Sequence, residues 1–400
     1  MNILHTADWH LGQRFCDRDR ADEHAAFLLW LLAVIQDREI DALIHAGDVF
    51  DTGNPPSYAL EMYYNFLRDV SRICPNVIIT GGNHDSPATL NAPKELLKAL
   101  NIHVVGATTG NPADEKIILK NKSGNAAVVC AVPYLRDKDI RFSVSGESAD
   151  ERERRVREGI RRHYEDVAAL VHEEKQRGLP VIATGHLFAA GSELSDAEHS
   201  IMGNLGQVTA DTFPAVFDYV ALGHIHRPQV IGKQERIRYS GSPLPLSFSE
   251  IAHPHSVMVV EFSEGKLGSI EKIEVPRTRQ LLRFEGSPEE ITRKIQSFSS
   301  SDLLPAWVEA IAELDAPNPH WAQEAKSAAA GKPLEIIKFT VKKTAARSIA
   351  EVEEDRDLRE LTALEVFELR CEAANFSREI TEELTLTFGE LLEIMREDAA

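Results

Sequence analysis

The segment Val77-Ile78-Ile79-Thr80-Gly81-Gly82-Asn83-His84-Asp85 decides how this 400-residue chain is read. Its first four residues are a short β-rich apolar run, the pattern of a buried strand. Two glycines then allow a tight turn and close backbone approach. Asn, His and Asp follow, three polar side chains of different chemistry. As a mere turn this is expensive, because each side chain needs a partner once buried.

The same grammar recurs four times. Asp8-Trp9-His10 follows the run Ile3-Leu4-His5-Thr6-Ala7; taken alone it reads equally well as a turn Asp beside a surface His. Gly47-Asp48 follows Ala42 to Ala46 and continues into Val49-Phe50-Asp51, and a lone Gly-Asp is weak evidence. Gly185-His186 follows Val181 to Thr184, and Gly223-His224-Ile225-His226 follows Tyr219 to Leu222. Residues two apart in an extended segment point the same way, so His224 and His226 can face one site. Five motifs of this form are not independent coincidences. They set Asp, His and Asn, with no thiolate, at the carboxyl ends of strands, where open α/β sheets hold ligands. That donor set suits two hard or borderline ions such as Mn, Fe or Zn, and suits Ca or Mg less well because imidazole is abundant.

Other conspicuous residues have blander readings. His5 and His45 sit inside apolar strands and read as hydrogen-bonded core or supporting groups. His24, His103, His163, His172, His199, His253, His255 and His320 lack ligand spacing. Trp9 and Trp30 are more often packing residues than base-stacking platforms. The arginines from Arg152 to Arg162 are interleaved with Glu, which favours a solvated helix face over a DNA groove. Four scattered cysteines without CxxC spacing suit reduced thiols.

Outward from the motifs, short apolar runs alternate with helical patterns at Ala21 to Arg38, Pro56 to Ile73 and Asp150 to Arg177, the rhythm of an α/β domain. A boundary is expected at the Val275-Pro276 step. Ser287-Pro288-Glu289-Glu290 then offers an N-cap Ser, Pro at the first helical position and Glu three residues after the cap. Alternating stretches Trp307 to Leu314 and Leu334 to Val341 flank an Ala-rich segment able to form a short helix, which reads as a small α+β module. Leu358, Leu361, Leu364, Phe367 and Cys371, then Ile380, Leu384, Phe388, Leu391 and Met395, predict two amphipathic helices. These dock on their own domain or on a partner chain.

The net charge of -19 looks unsuited to nucleic acid, but residues 351–400 hold sixteen Asp and Glu against five Lys and Arg. That leaves -8 for the first 350 residues, a weak argument against DNA. The N-terminus lacks a basic start and apolar run, and no stretch approaches bilayer length, so a cytoplasmic protein without a membrane span is expected. No GxSxG elbow appears, and no GxxxxGK[ST], so no ATP site is expected in this chain.

The order DxH, GD, GNHD, GH, GHxH resembles that of the calcineurin-like metallophosphoesterase family. The stretches Ile3 to Gly12, Gly47 to Gly53, and Gly223 to Arg227 leading to Gly241-Ser242-Pro243 are similar to its bacterial double-strand-break repair nucleases, and the resemblance covers nearly the whole chain. It implies a four-layer α-β-β-α sandwich of two mixed sheets over 1–275, a DNA-selecting α+β cap over 276–345, and a linker with amphipathic helices over 346–400. Those helices would bind an ATPase partner, in an assembly of two copies of each chain. It also implies two adjacent divalent metals, Mn foremost, with Mg, Fe or Zn as alternatives. Asp48 would bridge them; Asp8, His10 and His226 would complete one site, and Asn83, His186 and His224 the other. His84 would contact the scissile phosphate and help protonate or stabilise the leaving oxygen, with Asp85 orienting its ring. Asp51 stands where some relatives carry His, which leaves its role open. The implied activity is hydrolysis of DNA phosphodiesters, exonucleolytic on duplex ends and endonucleolytic on single strands or hairpins, in repair, replication and recombination. Nucleotide or phosphoprotein hydrolysis is the alternative, because the metal site alone does not name a substrate. A DNA-binding scaffold with a vestigial site is a third reading, and the intact ligand set speaks against it.

Overall fold

The computed structural model describes residues 1–121, 124–140, 148–189, 208–314, 320–343, 367, 370, 371, 384 and 388. Two six-stranded sheets form the larger part. The first runs Lys266–Glu274, Ser256–Ser263, Asn2–Thr6, Ala42–Ala46, Val77–Thr80, Ile102–Val105. Asn2–Thr6 and the strands after it in that order pair in parallel, and the hairpin at the other edge is antiparallel. The second runs Gln229–Ile231, Gln234–Tyr239, Tyr219–Gly223, Val181–His186, Gly124–Cys130, Lys116–Asn121, with the inner strands parallel and both edge strands antiparallel to their neighbours.

Side-chain parity makes the layers. Ile3, Ala42, Ile44 and Ile78 face Val129, Ile182, Tyr219 and Ala221 between the sheets. Their neighbours Leu4, Leu43, Val77 and Ile79 face outward onto Phe27 and Leu31 of the helix Ala21–Asp37 and Tyr63 and Phe66 of the helix Ser57–Val70. On the far side Val128, Val181, Ala183 and Val220 meet Val156, Ile160, Tyr164 and Val167 of the helix Ala149–Ala169. Helix, sheet, sheet, helix is therefore the order. Strands covered on both faces need apolar residues at every position, which is why the motif-bearing runs are continuous rather than alternating.

Two expectations are corrected. The helical stretch expected from Asp150 to Arg177 is two helices, Ala149–Ala169 and His172–Gln176. The amides of Leu170 and Val171 reach back only three residues, to Val167 and Ala168, and Lys116 Nζ caps the Leu170 carbonyl at 2.7 Å. The later module is not α+β. Strands Leu281–Gly286, Ala306–Leu314 and Leu334–Lys343 are all parallel and alternate with helices Pro288–Ser297 and Trp321–Ala329, a βαβαβ arrangement. The strand Leu281–Gly286 had no counterpart among the expectations, although its half-buried Leu282 and Phe284 alternate with the exposed Arg283 and Glu285. The helix start at Ser287 has both halves of a capping box.

A small cluster of Phe15, Phe248, Leu281 and Trp307 joins the module to the sandwich. The two amphipathic helices expected in the tail lie almost wholly outside the described residues. Among those described, Phe367 and Phe388, one from each expected helix, stack with ring centroids 4.1 Å apart. Among the described residues no helix is long and apolar enough to cross a membrane.

Candidate metal centre

The five motifs converge at the carboxyl ends of parallel strands from both sheets. The backbone must bend sharply there: Asp8, His10, Asp48 and His224 all have positive φ, at 55°, 46°, 57° and 96°. Such conformations cost L-residues energy and concentrate at functional sites. Glycines give the ligands room. A Cβ on Gly82 would lie 2.1 Å from Asp48 Oδ1, and one on Gly223 would lie 2.0 Å from the Ala46 carbonyl oxygen.

The two carboxylates are presented alike. Asp8 Oδ1 accepts from the amide of His224 at 2.9 Å, and Asp48 Oδ1 from the amide of His84 at 2.8 Å. In each case Oδ2 is turned inward. Asp48 Oδ2 lies 3.1 Å from His186 Nε2 and 3.6 Å from His10 Nε2. Asn83 Oδ1 lies 2.9 Å from His186 Nε2 and 3.0 Å from His224 Nδ1.

The histidines are oriented from behind. His186 Nδ1 donates to the Ala46 carbonyl at 3.0 Å, which leaves the Nε2 lone pair facing Asp48 and Asn83. His10 Nδ1 is 3.2 Å from Asp51 Oδ1, and His226 Nδ1 is 3.1 Å from Glu250 Oε1. These hydrogen bonds direct three Nε2 lone pairs inward, as metal-binding imidazoles require.

Lone pairs pointed at one another repel unless a cation lies among them. Asp8 Oδ2 and His10 Nε2 are buried without a hydrogen-bond partner among the described residues. Ligand atoms of Asp8, His10 and His226 lie within 4.8 Å of one another, and so do those of Asp8, Asp48 and His186. The residues therefore fit divalent metal binding. Electrostatics agree. Burial opposes ionisation of Asp48, yet His186, His10 and His84 outweigh it and hold its carboxyl well below the ordinary range. Burial likewise disfavours the His186 imidazolium, but Asp48 and Asp8 push that ring up to about 9. Burial raises Asp8 against the pull of His186 and His226.

All seven expected ligands, Asp8, His10, Asp48, Asn83, His186, His224 and His226, are brought into this one cluster, and His84 lies at its edge. The ring of His84 meets that of His10 edge-on at 4.8 Å, and the two share a possible ligand group with Asp48. Asp85 differs from its expected role. Its carboxylate accepts from the amides of Gly82, Val49 and Phe50 at 2.9, 3.1 and 3.0 Å, so it ties the Gly82 turn to the Asp48 loop. The His84 ring is oriented instead by the Asp51 carbonyl, 2.8 Å from Nδ1. Asp51 therefore serves two histidines, one through its side chain and one through its backbone. The sequence offers no motif for that backbone contact, nor for Glu250, which lies 24 residues beyond His226.

His5, His45 and the arginines of the Ala149–Ala169 helix keep their quieter roles. His5 bonds to Tyr219 and the Leu222 carbonyl, and His45 packs edge-on against Trp9 at 4.4 Å. Arg157 pairs with Glu153 at 2.6 Å and Arg161 with Glu165 at 2.7 Å along a solvated helix face.

A four-layer sandwich that holds this donor set at the carboxyl ends of strands from both sheets defines a metallophosphoesterase, and residues 1–228 match the family described as Calcineurin-like phosphoesterase. Residues 277–375 match the Type 5 capsule protein repressor C-terminal domain. The chain is 38% identical over 377 residues to the D subunit of nuclease SbcCD from Escherichia coli K12, covering 92% of each. It is 38% identical over 300 residues to the protein of that name from Rhodobacter capsulatus, covering 71% of each, and 34% identical over 292 to that from Bacillus subtilis, covering 72% of this chain and 73% of the relative. The chain belongs to the nuclease subunits of SbcCD, the D type, within the calcineurin-like phosphoesterase family.

Proposed function

We propose that this chain hydrolyses DNA phosphodiester bonds at a two-metal centre, as exonuclease on duplex ends and endonuclease on single strands or hairpins, in repair, replication and recombination. The observation that carries the reading is the matched presentation of Asp8 and Asp48, each with one oxygen fixed by an amide and the other turned into a ring of imidazole nitrogens. Asp8, His10 and His226 would hold one ion and Asn83, His186 and His224 the other, with Asp48 contributing to both. Two bound divalent ions, Mn foremost, supply charge that clamps phosphate oxygens and acidifies an attacking water. His84, its Nδ1 engaged by Asp51, has Nε2 left to meet the phosphate and to help protonate or stabilise the leaving oxygen. Asp85 holds the Gly82 turn so that His84 and Asn83 keep their places.

Family membership favours DNA over nucleotides or phosphoproteins. By the same membership an SbcC-like ATPase is the expected partner, two copies of each chain assembling through the acidic tail, residues 346–400. Helices that repel DNA can still offer an apolar stripe to protein. The module of residues 276–345 lies beside the centre's supporting turn at Phe248, which supports a capping role.

The test compares wild type and His84→Ala on linear duplex and hairpin DNA with added Mn or Mg. Metal-dependent cleavage lost in the variant, with metal content retained, is expected. Cleavage at the wild-type rate would remove His84 from the mechanism, and faster hydrolysis of nucleotides or phosphopeptides would overturn the substrate. A chain ending near Glu351 that still bound the ATPase at full strength would refute the role given to the tail.

A further inference from the structure

His226 is held by more than its own loop. Its Nδ1 faces Glu250 Oε1 at 3.1 Å, and its carbonyl accepts from the amide of Ser242 at 3.0 Å. Glu250 is wholly buried on the short turn Phe248–Ala252. Its Oε2 accepts from the amide of Leu246 at 2.8 Å, and its Oε1 also from Ser247 Oγ at 3.3 Å. His255 closes the circuit, with its ring nitrogens 2.9 Å from the Ser242 carbonyl and 3.3 Å from that of Glu250. Both oxygens of the Glu250 carboxylate thus act as acceptors. An amide in its place would turn an N–H toward one of these donors, because a carboxylate offers two acceptor atoms and Gln one.

The same turn is gripped from the other side. Gln13 donates to the Leu246 carbonyl at 3.0 Å, and Arg20, itself buried, donates to the Pro245 carbonyl at 2.6 Å. Arg20 pairs with Glu23 at 2.7 Å, and Glu23 with Arg279 at 3.3 Å. Arg279 lies 4.0 Å over the Trp307 ring and donates to the Pro305 carbonyl at 2.5 Å. Phe248 packs against Phe15, Leu281 and Trp307 alongside. A continuous set of contacts therefore runs from the parallel module to a histidine of the metal centre.

We propose that Glu250 is a positioning residue for His226, and that the 245–250 turn makes the hold on His226 depend on how the parallel module is seated. The inference rests on reading Asp8, His10 and His226 as one metal site. A carboxylate that accepts Nδ1–H fixes the imidazole tautomer with Nε2 toward the metal and raises its basicity. A turn anchored on both sides passes a shift of Arg279 or Trp307 on to the carboxylate, because Arg279 reaches the turn through Glu23 and Arg20, and Trp307 through its cluster with Phe248.

The experiment titrates the full chain with Mn2+ alone, following bound and free ion by electron paramagnetic resonance, with DNA cleavage measured in parallel. Wild type is expected to bind two ions. Glu250→Gln should weaken one of them about 10- to 100-fold and leave the other unchanged, with His226→Ala as the reference for the site affected. Arg279→Met, which alters no proposed ligand, should weaken the same ion by about 2- to 30-fold. If Glu250→Gln folds poorly, Glu250→Asp keeps the charge but shortens the reach to Nδ1, and the same site-selective loss is expected. Wild-type affinity in the position-250 variant that folds would overturn the positioning role. Wild-type affinity in Arg279→Met would overturn the link to the module. Failure of the wild type to bind Mn2+ would be a different result, which overturns the metal-site reading and takes this inference with it.

Discussion

Gly47 and Gly110 share a backbone conformation and differ in their surroundings, so together they separate two costs that usually arrive mixed. Their φ angles are +88° and +85°. An alanine at either position pays for the left-handed backbone, about 1–2 kcal/mol. At Gly110 nothing lies within 4 Å of the new Cβ. At Gly47 the Cβ would fall 2.2 Å from His186 Nδ1 and 2.6 Å from its Cγ, so the ring or the turn must move by more than an ångström to restore ordinary contact. Overpacking of that kind adds about 1–3 kcal/mol. Gly110→Ala should therefore cost about 1–2 kcal/mol and Gly47→Ala about 2–5 kcal/mol. At about 2–4 °C per kcal/mol for a domain of this size, the melting temperatures of the two variants should be clearly resolved. Urea unfolding by circular dichroism measures the difference directly. Mn2+ titration adds a second axis: the displaced ring is a proposed metal ligand, so Gly47→Ala should also bind metal more weakly while Gly110→Ala does not. Equal stability losses in the two variants, or unchanged metal binding in Gly47→Ala, would refute the claim that this glycine exists to make room for His186.

Three further outcomes follow from the structure. His84→Ala should keep its metal and lose cleavage by about 10²- to 10⁴-fold, the usual worth of a positioned acid–base group; single-turnover kinetics on duplex ends, with metal analysis, decide it. Mn2+ at a hundred times its dissociation constant should stabilise the wild type by about 2.7 kcal/mol, seen as a rise in melting temperature that Asp48→Asn abolishes; a rise that persists in Asp48→Asn would place the ion elsewhere. Burial holds the His5 ring down to about 3 from an ordinary 6.5, so on acidification the unfolded chain binds the proton first and stability falls between those two values. The share of His5 in the slope should reach about 1.4 kcal/mol per pH unit, and His5→Gln should reduce the dependence of the urea midpoint on pH by that share; an unchanged slope would exclude His5 as a source.

What could be read from the sequence follows from how local each feature is. Strands buried on both faces announce themselves as continuous apolar runs, and a ligand directly after such a run is at a strand end by construction. That is why Asp8, Asp48, Asn83, His186 and His224 are legible in the chain itself. Helix starts are legible where side chains cap locally, as at Ser287. What escaped was either tertiary or backbone-mediated. Asp85 looked like the partner of its neighbour His84, but its carboxylate is consumed by three amides, two of them from the Asp48 loop. The contact of Asp51 with His84 uses a carbonyl, which every residue has and no motif records. The strand Leu281–Gly286 carries only a four-residue alternation, Leu282 to Glu285, which is brief beside the continuous runs of the sandwich; Arg283 is satisfied by Glu309 in the neighbouring strand at 2.7 Å.

The first sheet is closed by pairing Asn2–Thr6 with Ser256–Ser263, strands separated by some 250 positions of chain. During synthesis the N-terminal strand therefore waits, with one edge open, until the hairpin that covers it has left the ribosome. Contacts so distant in sequence are slow to form and leave partly folded chains exposed. The same interval keeps the centre incomplete: Asp8 is made early, but His224 and His226 arrive more than 200 residues later. A nascent or prematurely terminated chain thus cannot assemble the whole donor set, and the ability to cut DNA is coupled to completion of the fold that contains it.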